Sequence, residues 1–445
     1  MHPGREAGLD RVLGLGSVIG ILIGSVIGSG IFIVPATIAA AVESPVLMLA
    51  VWVLGGVLSF FGALAFSELG AALPRAGGMY VFLREAYGRP VAFLFGWTLF
   101  LVIDSGAIAT LSMAFASKYL PYFVTLTPVA TKIAALVMIG ALVVANYVGT
   151  RWGAFVQNTL TVVKFAGVVG VSLVVLALAD GEVSHFVSPP VPPWSGGLVG
   201  AFGVALVAAL WAYKGWESVT FSAGEMKDPK RDLPIGLFAG TLVVIGVYAI
   251  ANVAYLWVFP AREIAASTRI AADAMQAAVG AAGASLVAGI ILFSIVGAGN
   301  AIILTAPRVF FAMARDGLFL KSLARVHTRY HTPHVSIVAT GVWASVLALS
   351  GTFEQLATYV VFGQWLFFGL TVAAVFVLRH TRRDLPRPYR TWGYPVTPAL
   401  FILASAFIAV NTLVTQPMNA LAGLGIIAIG IPAYLIWSRN RPVDQ

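Results

Sequence analysis

The feature that most constrains this chain is a series of apolar runs, each about 20 residues or longer, separated by short clusters of turn residues and charges. A helix rises 1.5 Å per residue, so such a run covers the roughly 30 Å of hydrocarbon in a bilayer. The composition agrees. Of 445 residues, 59% are hydrophobic and 10% charged, whereas soluble domains carry about 25% charge. Length alone would suggest two or three soluble domains, and composition overrides that. The spans fall near 12–40, 45–72, 90–117, 131–149, 154–179, 198–222, 234–259, 282–312, 335–350, 355–378, 395–415 and 420–437. The expectation is an all-α polytopic membrane protein with about 12 transmembrane helices in one domain over residues 1–445. No cysteine is present, which excludes disulfides, thiolate metal sites, cysteine nucleophiles and a disulfide tether to a partner subunit.

The charges orient the chain. Arg5 and Arg11 precede an apolar stretch too long for the core of a signal peptide and lacking its exit motif. With the N-terminus placed in the cytoplasm, 21 of the 27 Lys and Arg residues fall inside and four outside (Lys118, Lys132, Arg262 and Arg269); Lys164 and Lys214 lie within spans. Shifting the register by one span destroys this asymmetry, so it supports both the count and cytoplasmic termini. The net charge of +9 is therefore a topology signal, spread over short loops, and nucleic acid is not an expected partner. The longest non-apolar stretches, 181–195 and 327–333, are ordinary loops.

Two spans are interrupted. The first carries Gly20, Gly24, Gly28 and Gly30, with Ser25 and Ser29 between them and Pro35 behind. Spacing of four suits a helix-packing face, but Gly28-Ser29-Gly30 at mid-membrane reads as an unwound stretch with open backbone groups. The sixth contains Leu210-Trp211-Ala212-Tyr213-Lys214-Gly215-Trp216-Glu217-Ser218. If spans 1–5 and 6–10 are repeats (about 12–179 and 198–378, with two extra helices at about 395–437), both breaks fall in the first helix of each. Five is odd, so the repeats are inverted. Paired breaks in inverted halves point to a transporter's midplane site. Half-helix N-termini suit a carboxylate and opened carbonyls an ammonium. A substrate with both is an α-amino acid.

Several motifs then become recognisable. Gly24-Ser25-Val26-Ile27-Gly28-Ser29-Gly30-Ile31-Phe32 with Pro35 resembles the first-helix signature of the amino acid–polyamine–organocation superfamily, and Pro74-Arg75-Ala76-Gly77-Gly78-Met79-Tyr80 its first cytoplasmic loop. Trp211-Ala212-Tyr213, Gly215-Trp216, Gly224-Glu225-Met226-Lys227-Asp228-Pro229, Arg308-Val309-Phe310-Phe311, Ala314-Arg315-Asp316-Gly317 and Arg387-Pro388-Tyr389-Arg390 are similar to the L-type amino acid transporters. The resemblance covers nearly the whole chain in order. It implies a LeuT-type core of inverted five-helix repeats that moves amino acids across the cytoplasmic membrane, of bacterial type here, by alternating access. The substrate's backbone groups would meet Ser25, Gly28, Ser29 and Gly30 on one break, and Leu210, Trp211, Tyr213, Lys214 and Gly215 on the other. The chain departs from its relatives at Lys214, where a small or acidic residue is common, and at Asp104, where close bacterial relatives often carry a neutral polar one. It also lacks the cysteine that ties animal members to a heavy subunit.

The resemblance further implies that Lys164, about 10 residues into the fifth span, replaces a bound sodium, with Ser294, Tyr248 and Asn252 around it; transport would then be sodium-independent. For the remaining deep charges two arrangements stand open. Lys214 and Glu217, three apart, can pair on a helix face with Asp104 facing water. Alternatively, Asp104 and Lys214 oppose each other across the pocket and read the side chain. Glu68 and Glu225 are expected to pair with loop arginines. Phe32, Trp216 and Trp365 are candidate pocket walls. By this division into spans all six histidines are expected in the N-terminal tail or loops, which argues against a histidine proton relay. The expected function is a secondary amino acid exchanger, with a proton-coupled amino acid or polyamine symporter as the alternative. A membrane enzyme would need catalytic dyads or an H-E-x-x-H motif, and a channel a symmetric pore. No catalytic residue, metal or cofactor is expected.

Overall fold

The structure, a computed structural model, describes residues 5–6, 9–191, 195–350 and 353–438. Two short strands, β1 (Arg5–Glu6) and β2 (Leu9–Asp10), pair antiparallel ahead of the helices. The first span is broken, because Ile27 turns extended and the helix restarts three residues later: α1 is Leu15–Val26 and α2 Gly30–Val42, bent by 43°. The break thus covers residues 27–29, with Gly30 already the first residue of α2. Next come α3 (Pro45–Ala72), with Pro45 in its first turn where a missing N–H costs nothing, and the short α4 (Met79–Tyr87). The third span runs through α5 (Arg89–Thr98), a π-helical turn at Leu99–Ile103 and α6 (Asp104–Ala114). The bulge ends at Asp104, in keeping with the tendency of π turns to re-aim side chains at functional sites.

Then follow α7 (Pro128–Tyr147) and α8 (Thr150–Leu178). The sixth span is also broken: α9 (Gly196–Ala212) stops at the Lys214–Gly215 turn and continues as a 3-10 segment, Trp216–Glu225. After it come α10 (Pro229–Val258), α11 (Ala261–Ala266), α12 (Ile270–Val279), α13 (Ala281–Thr305) and α14 (Pro307–Arg315). The chain finishes with α15 (His334–Ser350), α16 (Phe353–Thr381), α17 (Val396–Thr415) and α18 (Pro417–Trp437).

Among the described residues, ten helical stretches are long and apolar enough to cross a bilayer, and the bent α1–α2 pair makes eleven. The sequence predicts twelve. The difference is α15, whose 17 residues reach only about 25 Å at 1.5 Å per residue. It packs against α6 and α7, with Ser336 and Thr340 buried.

The inner helices form the core. α1 is enclosed by α8, α10 and α13, and α2 lies on α9. The outer ones carry apolar side chains outward, among them Val137 and Val144 on α7, Val410 and Val414 on α17, and Ile436 on α18. A continuous apolar exterior on this scale suits lipid and not water.

One end of the bundle is knit by ion pairs. Glu225 and Arg308 are wholly buried. Arg308 Nε donates to Glu225 Oε2 at 2.6 Å and Nη2 to Oε1 at 3.0 Å. The Thr150 hydroxyl accepts from Arg308 Nη2 at 2.8 Å and donates to Glu225 Oε1 at 2.5 Å. Glu68 accepts from Arg379 at 2.9 and 2.6 Å and lies 3.5 Å from Arg387. Only Arg387 is a loop arginine as expected; Arg308 and Arg379 sit on helices. The segment before α1 joins this end, since the Val12 and Leu13 amides donate to the Glu225 carbonyl and the Lys227 amide to the Leu13 carbonyl.

Removing one member of a buried pair strands the other. Arg308→Ala is expected to cost about 3–5 kcal/mol of stability, seen as a lowered thermal midpoint of the purified protein in detergent. Combining Arg308→Met with Glu225→Leu should recover most of the loss. An unshifted midpoint in Arg308→Ala would show that the pair is dispensable.

Candidate functional site

The two helix breaks meet in the middle of the bundle. Gly215 takes φ of 122°, and a Cβ there would lie 2.8 Å from the Ser25 carbonyl carbon; a side chain is thus excluded twice over. Gly30 lies as close to the other break, where a Cβ would stand 2.9 Å from the Ala212 Cα. The Tyr248 hydroxyl, from α10, sits 2.9 Å from the Val26 carbonyl and 3.0 Å from the Ala212 carbonyl, one on each break. The amides of Gly28, Ser29 and Gly30 find no backbone acceptor among the described residues, and the Leu210, Tyr213 and Lys214 carbonyls accept no backbone amide. The Trp211 carbonyl, by contrast, accepts from the Lys214 amide at 3.2 Å.

A cavity of about 90 Å³ opens against these breaks. Ser25, Gly28, Ser29 and Gly30 form one wall, and Trp211, Lys214 and Gly215 another. Asp104, Ala107, Thr110 and Leu111 of α6 contribute a third, with Ala298 and Ile302 of α13 behind. Such a volume holds several water molecules. The Ser25 hydroxyl bonds back to the Ile21 carbonyl at 2.7 Å. Neither Leu210 nor Tyr213 lines the cavity. Tyr213 turns instead into an aromatic cluster, 5.9 Å from Trp52 and 5.0 Å from Tyr248 between ring centres.

Two opposed charges face each other here. Lys214 Nζ lies 3.7 Å from Asp104 Oδ1, both largely buried. Lys214 does not pair with Glu217, because the Gly215 turn interrupts the helix that would have set them on one face. Glu217 instead accepts from the Gly215 amide at 3.0 Å and from Gln364 Nε2 at 2.7 Å. It also lines the cavity, as does Ser218. Phe32, Trp216 and Trp365 are buried but stand outside it. Trp216 packs on Phe66 and Phe368, and Trp365 stacks on Phe401.

Behind α1, Lys164 is buried and donates to the Gly24 carbonyl. Ser294 Oγ donates to the Ile27 carbonyl at 3.3 Å. Gly297 leaves room for the ammonium, since a Cβ there would be 3.2 Å from Nζ. Asn252 stands a turn beyond Tyr248 and donates to its carbonyl at 2.8 Å. A polar chain that sequence reasoning did not find continues from here. The Thr161 hydroxyl donates to the Gly20 carbonyl at 3.0 Å, Asn300 donates to Gln157 at 2.9 Å, and Asn146 to Asn300 at 2.8 Å. Each is a single polar residue on a different apolar helix turn, and only their meeting in space marks them. Among the described residues, no cluster of three or more His, Asp or Glu could hold a metal.

The amino acid permease family profile matches residues 13–433. The chain is 33% identical over 422 residues to the human b(0,+)-type amino acid transporter 1, covering 93% of this chain and 85% of that protein. It is 31% identical to the serine/threonine exchanger SteT of Bacillus subtilis (strain 168), covering 98% of each. To the human cystine/glutamate transporter it is 30% identical, over 98% of this chain and 88% of the other. Eleven apolar spans, two broken helices meeting at a central cavity and these matches agree: the chain belongs to the amino acid permease family and is an integral membrane protein.

Proposed function

We propose that the protein is a secondary amino acid exchanger that works by alternating access without sodium. The observation that carries this is one cavity lined on one side by Gly28, Ser29 and Gly30, whose amides are open, and on the other by Lys214, whose carbonyl is open. Amides at the start of α2 favour an anion. Carbonyls at the end of α9 favour a cation. An α-amino acid presents both on one carbon, with its side chain toward the Asp104–Lys214 pair. The name of the serine/threonine exchanger SteT favours exchange of one amino acid for another. The two breaks belong to inverted repeats, and the rocking of one against the other exposes the cavity to each side in turn.

The substrate assignment makes two variants informative in a liposome competition assay. Gly28→Leu places a side chain in the cavity and should abolish uptake while the protein still folds; normal uptake would remove the carboxylate from this break. Lys214→Asp should reorder acidic, neutral and basic competitors, with shifts of about tenfold, the scale of ~1.4 kcal/mol. An unchanged order would leave Asp104 and Lys214 a structural pair.

Sodium independence rests on Lys164. Its ammonium occupies the Gly24 carbonyl beside the Ile27 carbonyl and Ser294, so a cation there would meet both repulsion and a filled volume. A fixed charge carries no gradient. Preloaded liposomes should take up labelled amino acid equally in sodium and choline buffers, driven by internal amino acid. Lys164→Ala should lower the rate about tenfold or more, the effect of ~1.4 kcal/mol on a barrier. Uptake rising steeply with sodium would overturn this reading, and uptake into empty liposomes driven by a proton gradient would favour the symporter, for amino acids or polyamines.

For orientation, the charge asymmetry supports cytoplasmic termini in a bacterial-type cytoplasmic membrane, and the absence of cysteine leaves no disulfide to a heavy subunit. It also makes single-cysteine labelling clean. In intact cells, a cysteine replacing Glu182 should react with an impermeant reagent, and one replacing Ser322 only after permeabilisation. The opposite pattern would invert the topology.

A further inference from the structure

A second cavity, of about 270 Å³, lies at the ion-paired end of the bundle and belongs to none of the transport chemistry above. Its walls are the start of α8 (Gly149, Thr150, Arg151 and Trp152) and the loop Arg329, Tyr330 and His331. Gly149 caps α8 with no side-chain hydrogen bond, and a Cβ at Gly149 would meet nothing within 4 Å. The first amides of a 29-residue helix therefore start at an open space, and that end of the helix carries partial positive charge. The guanidinium of Arg151 makes no ion pair or hydrogen bond among the described residues. That of Arg329 only approaches the Tyr330 ring, at 5.5 Å. Asp10 sets one carboxylate on the rim and is itself engaged. His331 holds a left-handed φ of 52°, a strained conformation that side chains other than glycine adopt mainly where the surroundings impose it.

The outer side of the same helix turn is apolar. Trp152 and Phe155 are both more than half exposed and stack at 5.4 Å, the arrangement of an aromatic pair at a membrane interface. Below them Val162 and Val163 continue the exposed stripe down α8. Two arginines and an uncapped helix start thus sit at headgroup depth, above an apolar lane at acyl depth. We propose that this cavity binds the phosphate of an anionic phospholipid, with the acyl chains along the exposed face of α8. Thr150 lines the cavity, and its hydroxyl bonds both Glu225 and Arg308. A bound headgroup therefore steadies the buried pair that holds this end of the bundle together. The inference rests on the reading of the chain as a membrane protein and not on its substrate.

Native mass spectrometry of the purified full chain, equilibrated in mixed micelles of phosphatidylcholine and phosphatidylglycerol, tests it. The unmodified protein should retain phosphatidylglycerol preferentially. Arg151→Gln with Arg329→Gln should lower that retention about tenfold or more, the scale for two basic groups at an anionic surface. Arg383→Gln, an exposed basic residue elsewhere, should leave it unchanged. Equal retention by the double variant overturns the proposal. Inorganic phosphate and glycerol 3-phosphate carry the charge without the chains; displacement of the lipid by either at equal concentration would make this a site for soluble phosphate and also overturn the lipid assignment. Should the double variant show a lowered thermal midpoint, Arg151→Lys with Arg329→Lys keeps both charges and should restore retention, and failure to do so counts against the site. Because lipid retention is read without transport, these outcomes stand apart from those of the exchange assay.

Discussion

An interrupted helix in hydrocarbon leaves backbone groups that water would otherwise satisfy, and each unsatisfied one costs several kcal/mol. Much of the interior of this protein follows from that constraint. The carbonyls uncovered at the end of α1 are met one by one: Gly24 by Lys164, Val26 by Tyr248 and Ile27 by Ser294. These donors come from three different helices, α8, α10 and α13, which is why α1 is enclosed by those three. The amides of Gly28, Ser29 and Gly30 and the carbonyl of Lys214, left without a backbone partner, belong to residues that line the cavity.

Charges obey the same rule more strictly. A charge at bilayer depth is costly unless paired or wet. Asp104 has Lys214, Glu225 has Arg308, and Glu217 has the Gly215 amide with Gln364. The three arrangements differ in character. The Glu225–Arg308 pair is sealed and multiply bonded, so it fixes geometry. The Asp104–Lys214 pair is longer, at 3.7 Å, and borders empty space, so it keeps capacity for another partner. A buried pair that is fully bonded contributes little net stability yet is costly to break, which suits a latch more than a foundation.

The spans, the position of both breaks and the depth of Lys164 were legible because each rests on local pattern: length of apolar run, glycine density, an isolated charge. What escaped depended on the path of the chain after a break. Lys214 and Glu217 are three apart and pair on any continuous helix, but the positive φ of Gly215 removes that helix. Tyr213 reads as a binding residue by adjacency, yet the turn sends its ring into Trp52 and Tyr248. Asn146, Gln157 and Asn300 look unremarkable singly in apolar spans, and only tertiary packing joins them. The ninth span, α15, is short of the crossing length in its 17 described residues.

The Tyr248 hydroxyl has a consequence of its own. It lies within hydrogen-bond reach of two carbonyls, Val26 and Ala212, but a phenol carries a single hydrogen. At any instant one carbonyl is served and the other is not. The proton can swing between two equivalent wells while the ring stays packed and buried. Were the breaks to separate during a transport cycle, the phenol could follow either one and lose only a bond it was already sharing. A lone hydrogen divided between two acceptors thus leaves the crossing of the two half-helices tied by one bond at a time, whichever carbonyl holds it.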